Sequence, residues 1–97
     1  MTQPVVLITG AAGGLGSAIA RRFASGGWRV AATDLNAEGL QALGRDTALA
    51  ASLALDLGES GACQRLLDQV ITDCGRLDAL VNAAGVWREG PVESFSE

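Results

Sequence analysis

The chain has 97 residues, of which 48% are hydrophobic, and eleven acidic residues against seven arginines give a formal net charge of -4. This length accommodates at most one domain with a modest core. The negative charge argues against a nucleic-acid or anionic-membrane partner.

The first predicted element is a strand over residues 5–8, which are β-branched and aliphatic as in a buried parallel strand. Four glycines follow within seven positions, at Gly10, Gly13, Gly14 and Gly16, before an amphipathic helix begins. Glycine permits a tight turn and lets a pyrophosphate approach the backbone, while the helix N-terminus presents free N–H groups to the anion. The spacing departs from a strict G-x-G-x-x-G, and the absence of lysine excludes a P-loop. The stretch therefore predicts a dinucleotide phosphate site.

The helix after this turn carries Leu15, Ile19 and Phe23 at i, i+4 and i+8, which predicts one apolar stripe. Residues 25–27, Ser-Gly-Gly, are expected to end it. Residues 28–33 then predict a second strand. Trp28 at its start is expected to be a core aromatic residue, and an aspartate follows its last residue.

Asp34 is that aspartate, and it follows Gly16 by eighteen positions. An acid at the end of the second strand of a dinucleotide-binding unit hydrogen-bonds the adenosine ribose hydroxyls. The alternative is a turn aspartate that caps the next helix. With the glycine turn at this distance, the ribose interpretation is favoured.

The third segment predicts a short helix capped by Asn36, carrying Leu40 and Leu43 and ended by Gly44. Residues 48–55 are rich in alanine and leucine, which favours a helix by propensity. Their leucines alternate with smaller residues, however, and burial outweighs propensity in a parallel sheet. We therefore predict a third strand.

The clearest helix is predicted from about residue 59 to residue 74, with Gly75 ending it. Its apolar residues recur at i, i+3, i+4, i+7, i+8 and i+11: Cys63, Leu66, Leu67, Val70, Ile71 and Cys74. Eleven residues of helix separate the two cysteines by roughly 16 Å, beyond disulfide reach, so both are expected to be reduced and at least partly in the core. Without histidine or a C-x-x-C pair, no metal site is predicted.

A fourth strand is predicted over residues 79–83, and a stretch of small residues follows it. Asp73 and Asp78, which precede this strand, are expected to be solvated surface charges. Alternating strands and helices predict an α/β fold, a Rossmann-type doubly wound parallel sheet of four strands in the order 3-2-1-4 with flanking helices. Ser94 or Ser96 before Glu97 is expected to cap a helix that the sequence lacks. We therefore expect residues 1–97 to be the N-terminal part of a single dinucleotide-binding domain, with the remainder absent.

Four motifs in order, one of them Asp34 after the second strand, together resemble the short-chain dehydrogenase/reductase family over the whole chain. Residues 9–16, Thr-Gly-Ala-Ala-Gly-Gly-Leu-Gly, resemble its T-G-x-x-x-G-x-G turn, although they also fit the T-G-x-x-G-x-x-G of the extended branch. Asp56-Leu57 resembles the D-[VL] pair that meets adenine, and Asn82-Ala83-Ala84-Gly85 resembles the N-[NA]-A-G signature. The last motif belongs to the short branch.

The resemblance implies NAD as cofactor. Gly10, Gly14, Leu15 and Gly16 would cradle the pyrophosphate, Asp34 would bind the ribose, and the D-[VL] pair would meet the adenine. In the last motif, Asn82 would brace the sheet while Ala83, Ala84 and Gly85 let the cofactor pass. NADP is disfavoured because Asp34 would repel a 2′-phosphate and no arginine lies in the turn or directly after Asp34.

In the family the catalytic serine, tyrosine and lysine, the last two as Y-x-x-x-K, are expected beyond the point where this chain ends, and the chain itself has no tyrosine or lysine. No catalytic residue is therefore predicted, and the 97 residues alone are expected to be inactive. The complete protein would be a cytoplasmic homo-oligomer that transfers a hydride between nicotinamide and an alcohol or carbonyl substrate. Residues 87–89, Trp-Arg-Glu, are expected either in an exposed loop or facing that substrate.

Two alternatives remain open at this point. The chain could be a non-catalytic nucleotide-binding module, or one whose sheet a partner completes. It could also derive from an extended-branch epimerase or dehydratase acting on nucleotide sugars, which the N-A-A-G motif disfavours.

Overall fold

A computed structural model describes residues 3–83. It contains four strands and three helices, in the order β1 (Val5–Thr9), α1 (Gly14–Ser25), β2 (Arg29–Asp34), α2 (Ala37–Asp46), β3 (Ala51–Ala54), α3 (Ala62–Cys74) and β4 (Ala79–Asn82). All strand pairs are parallel and the sheet order is β3-β2-β1-β4. The predicted Rossmann-type order of strands is confirmed. The capping serines predicted near residue 97 lie outside the described residues.

Strand β1 is the centre of the sheet, and all five of its residues are buried. Val6 and Ile8 point into a core shared with α1 and α2, whereas Val5 and Leu7 point into a second core built with α3. The alternation of side chains along a strand thus places one helical layer on each face of the sheet. The end of β1 is consequently held from both sides.

Helix α1 buries a different set of residues from the predicted stripe. Gly16 and Ala20 are its buried residues, while Ile19 and Phe23 are only partly buried against the core. Leu15 is 44% exposed, so its assignment to the apolar stripe was wrong. The two buried positions of the helix are thus occupied by the small residues Gly16 and Ala20.

The other two helices also differ in detail from the expectation. Gly44 does not end α2, which continues to Asp46 and is capped by Thr47. In α3 the buried row is Ala62, Leu66, Val70 and Cys74, at intervals of four residues. The adjacent row of Cys63, Leu67 and Ile71 is exposed, so the predicted stripe is buried along one of its two rows and Cys63 lies outside the core.

Trp28 precedes β2 instead of starting it, and its ring meets Phe23 edge-on with 5.0 Å between centroids. It packs, partly buried, against the core beside α1, as predicted for a structural aromatic. Strand β3 is confirmed as a strand but spans only four of the eight residues predicted for it.

Asp78 links the start of β1 to the start of β4 by hydrogen bonds. Its carboxylate accepts the Val5 N–H at 2.9 Å and two hydrogen bonds from the Arg76 guanidinium at 2.7 and 2.8 Å. The Asp78 N–H in turn donates to the Val5 carbonyl. Asp78 is therefore more than the solvated surface charge predicted from the sequence. Asp73, by contrast, accepts a hydrogen bond from Gln69 one helical turn earlier.

This arrangement predicts a pH-dependent stability. The Arg76 guanidinium, and after it the Val5 N–H, lower the pKa of Asp78 below its ordinary 3.8. A carboxyl whose pKa falls on folding stabilises the protein above its unfolded pKa, and this contribution is lost as pH falls through the folded value. We expect Asp78→Asn to lower the melting temperature modestly above about pH 5, with the difference closing in acid.

Thermal unfolding followed by circular dichroism across this pH range checks the expectation. Asp73→Asn is the matched control, because it removes one acidic charge without touching β1. Equal effects of the two variants at neutral pH would contradict the role given to Asp78.

Candidate functional site

A cleft of about 690 Å³ lies at the carboxyl ends of β1, β2 and β3. Its size is within the range of small-molecule sites. Three segments that each follow a strand form its walls: the turn after β1, the turn after β2 and the turn after β3. It also lies where the sheet order reverses between β1 and β4, the usual ligand position in open α/β sheets.

The glycine-rich turn leaves β1 through Gly10, whose φ of +67° is in the left-handed region that favours glycine. The Gly13 N–H donates back to the Gly10 carbonyl at 3.2 Å. A Cβ built on Gly16 would lie 2.1 Å from the Gly10 oxygen and 2.9 Å from the Ala11 Cα. Only glycine therefore lets α1 come this close to the end of β1.

The first turn of α1 faces the cleft. The N–H groups of Gly14, Leu15 and Gly16 have no intrahelical carbonyl available, because the helical hydrogen bonds begin with the Ser17 N–H donating to the Gly13 carbonyl. All three residues line the cleft, and a Cβ on Gly14 would meet no atom within 4 Å. These free donors and the positive end of the helix dipole suit a phosphate group.

Asp34 lies at the end of β2 and also lines the cleft. Its Oδ2 accepts the Ala12 N–H at 2.9 Å, and its Oδ1 accepts the Asn36 N–H at 3.0 Å. The carboxylate thus links the glycine-rich turn to the start of α2. Asp34 therefore bonds to the backbone before the next helix, as in the turn interpretation, and it also lines the cleft. Each carboxylate oxygen retains a second lone pair for another donor.

Asp56 and Leu57 follow β3 and line the third wall. The Asp56 Oδ1 accepts the Gly58 N–H at 2.8 Å, which folds the backbone into a local turn. Both residues thus line the same cleft as the glycine-rich turn, and their contact with adenine stays a prediction.

Asn82 ends β4 and does not line the cleft, whereas Ala83 does. The Thr9 hydroxyl donates to the Asn82 Oδ1 at 2.7 Å, so this side chain ties the end of β4 to the end of β1. That contact agrees with the bracing role implied by the resemblance. Ala84, Gly85 and residues 87–89 lie outside the described residues.

Several cleft residues were missing from the predicted set: Gly13, Thr33, Leu35, Leu55 and Gly58. Each lies within two residues of a predicted site residue, so position at the carboxyl end of a strand was the signal that could have found them. Among residues 3–83, Leu35 has the most exposed large apolar side chain, with 71% of its surface accessible, and it follows Asp34 directly in the sequence.

The charged side chains that line the cleft within residues 3–83 are Asp34 and Asp56, with no arginine among them. Over the same residues no group of three or more histidine, cysteine or acidic side chains is placed to hold a metal ion. In this part of the chain no helix has the length and hydropathy needed to cross a bilayer.

Comparison with known proteins decides the family. A family model described as short chain dehydrogenase matches residues 4–97. The chain belongs to the short-chain dehydrogenase/reductase family. Among relatives in this family, D-threitol dehydrogenase of Mycolicibacterium smegmatis is 46% identical over 96 residues, which are 95% of this chain and 37% of that protein.

Solved structures of short-chain dehydrogenases/reductases agree with the fold. A metagenomic short-chain oxidoreductase in complex with NADP is 38% identical, with a TM-score of 0.80 over 97% of this chain and 45% of its own. The 3-ketoacyl-(acyl-carrier-protein) reductase of Brucella melitensis, complexed with NADH, is 30% identical, with a TM-score of 0.75 over 81% of this chain and 33% of its own. Both nicotinamide cofactors thus occur among the structural neighbours.

Two glycines of the turn make a matched pair for mutagenesis. Gly16→Ala places a methyl against the Gly10 carbonyl, so we expect it to lower the free energy of unfolding by about 2 kcal/mol or more. Gly14→Ala meets open space, and the added helix propensity should leave stability unchanged or raised by up to about 1 kcal/mol. Urea unfolding of both variants checks this, and equal stabilities would contradict the close approach at Gly16.

Proposed function

We propose that this chain is the NAD(H)-binding part of an oxidoreductase that transfers a hydride between nicotinamide and an alcohol or carbonyl substrate. One observation carries the proposal: the lining of the cleft at the carboxyl ends of the strands includes both the free N–H groups of α1 and the Asp34 carboxylate. Such a cleft offers donors to a diphosphate and an acceptor to ribose hydroxyls.

Each part of the cofactor is assigned to one of the segments that line the cleft after the strands. The N–H groups of residues 14–16 would bind the pyrophosphate, together with the turn at Gly10. Asp34 would accept hydrogen bonds from the adenosine ribose, and Asp56 with Leu57 would contact the adenine. The Asn82–Gly85 motif would border the path toward the nicotinamide, whose bound ring supplies the hydride chemistry.

NAD(H) is proposed over NADP(H) on electrostatic grounds. A phosphate charge 4 Å from a carboxylate costs up to about 4 kcal/mol at an effective dielectric constant near 20, and exposure at the rim reduces this. Asp34 is such a carboxylate, and the cleft lining within residues 3–83 has no arginine to offset the repulsion. Family membership alone does not decide, since neighbours are complexed with either cofactor.

Cofactor titration tests this assignment. We expect the unmodified protein to bind NADH at least about tenfold more tightly than NADPH, which corresponds to 1.4 kcal/mol. Asp34→Asn should narrow that ratio because the charge facing the 2′-phosphate is gone. Asp56→Asn, which removes the other carboxylate of the cleft, is the matched control and should leave the ratio nearly unchanged. An NADPH affinity equal to or tighter than that for NADH would refute the assignment.

The whole protein's chemistry is a further part of the proposal. The chain spans 37% of the length of the D-threitol dehydrogenase it resembles, and it contains no tyrosine or lysine for the family's proton transfer. We infer that these groups belong to polypeptide other than residues 1–97. The proposal includes a small-molecule substrate, a homo-oligomer and a cytoplasmic location.

Enzyme assays separate this proposal from a purely nucleotide-binding module. The complete natural protein should reduce NAD⁺ with at least one substrate in a panel of alcohols and polyols that includes D-threitol. The purified 97-residue chain should give no turnover with the same panel. Turnover by the short chain, or none by the complete protein with alcohols or the matching carbonyls, would count against the proposal.

A further inference from the structure

The first turn of α2 touches the glycine-rich turn beside the cleft. Gly39 is the third residue of α2, and a Cβ built on it would lie 2.7 Å from the Cβ of Ala12. Two carbon atoms that are not bonded prefer a separation of about 3.5 to 4.0 Å. The two segments can therefore lie this close only because residue 39 has no side chain.

Hydrogen bonds run between the same two segments. The Ala12 N–H donates to Asp34 Oδ2, and Asp34 Oδ1 accepts the Asn36 N–H. The Asn36 side chain then caps α2 by accepting the Gly39 N–H at 3.0 Å. These hydrogen bonds connect Ala12 to Gly39 through Asp34 and Asn36. The direct contact between Gly39 and Ala12 connects the same two residues a second time.

A side chain at residue 39 would force one of two neighbours to move. The Asn36 amide, 2.9 Å from the built Cβ, can rotate, but it would lose its cap on α2. The Ala12 Cβ is fixed to the backbone of the turn, so it can move only if the turn moves. Because the free N–H groups at residues 14–16 follow directly along the chain, such a shift would reach the phosphate-binding donors.

We propose that Gly39 is a positioning residue of the dinucleotide site. It holds the Ala12 N–H on the Asp34 carboxylate and so fixes the shape of the glycine-rich turn, although neither Gly39 nor Ala12 lines the cleft. The effect expected on NADH binding rests on the proposed function, whereas the effect on the turn itself does not.

The test compares two glycines of the same helix in the complete natural protein. Gly39→Ala is the test variant. Gly44→Ala is the matched control, because a Cβ there would make an ordinary 3.7 Å contact with Leu49. The readouts are hydrogen–deuterium exchange of the peptide containing Ala12, without cofactor, and the Kd for NADH.

We expect Gly39→Ala to speed exchange at the Ala12 amide and to raise the Kd for NADH about tenfold, as for the loss of one hydrogen bond to a charged group. Gly44→Ala should change neither. Exchange and Kd that are the same in both variants would overturn the inference. If the unmodified protein binds no NADH, the proposed function fails, and the exchange data still decide the role of Gly39.

A second-site change locates the effect. Ala12→Gly removes the methyl that would collide, so adding it to Gly39→Ala should restore most of the NADH affinity and the Ala12 protection, a coupling that a double-mutant cycle measures. If Gly39→Ala alone fails to fold, recovery of folding in the double variant supports the inference. No recovery of folding, affinity or protection would mean that the contact with the turn is not responsible, and the inference would be wrong.

Discussion

The close approach of α1 to the end of β1 is the constraint on which the cleft depends. Gly16 lies against the Gly10 carbonyl with no room for a Cβ, so the position of the helix N-terminus is set by backbone contact. Burial of β1 on both faces prevents the strand from moving away to relieve that contact. The free N–H groups of α1 are thereby held in a fixed position relative to the end of β1.

Different strand ends contribute groups of different electrostatic character to the cleft. At the turn after β1, partial positive charge comes from backbone donors and the helix dipole, and no basic side chain of residues 3–83 lines the cleft. At the ends of β2 and β3, Asp34 and Asp56 contribute carboxylates to the lining. A ligand that is anionic in its middle and neutral but hydroxylated at its adenosine end matches this division, which is the reason for proposing NAD(H).

The sequence predicted the elements well because they follow from periodicity and from the turn residues between apolar segments. It predicted the strand order because alternating strands and helices after a glycine-rich turn indicate a dinucleotide-binding unit, which has a characteristic order. It predicted helix limits and buried faces less well. Gly44 looked like a helix end, yet α2 continues past it, since one glycine costs only about 1 kcal/mol and burial of Leu40 and Leu43 offsets that. In α3 the periodicity identified a helix but not which of two adjacent apolar rows faces the sheet.

Other features depend on residues far apart along the chain. The contact of Gly39 with Ala12 and the bond of Asp78 to Val5 join segments that no local pattern connects. Leu15 was predicted both in the apolar stripe of α1 and, from the resemblance, at the pyrophosphate, and the structure exposes it in the cleft lining. Site residues on strand ends were predictable because parallel strands bring their carboxyl ends together.

The double hydrogen bonding of Asp34 has a consequence for how this site could change its cofactor. A mutation that admits a 2′-phosphate by removing the carboxylate also removes two acceptors, one for the turn and one for the start of α2. A serine or threonine there offers one oxygen in place of two. On the proposed NAD(H) assignment, a change of cofactor preference at this position would take two steps, the second of which supplies a compensating acceptor that preserves the turn.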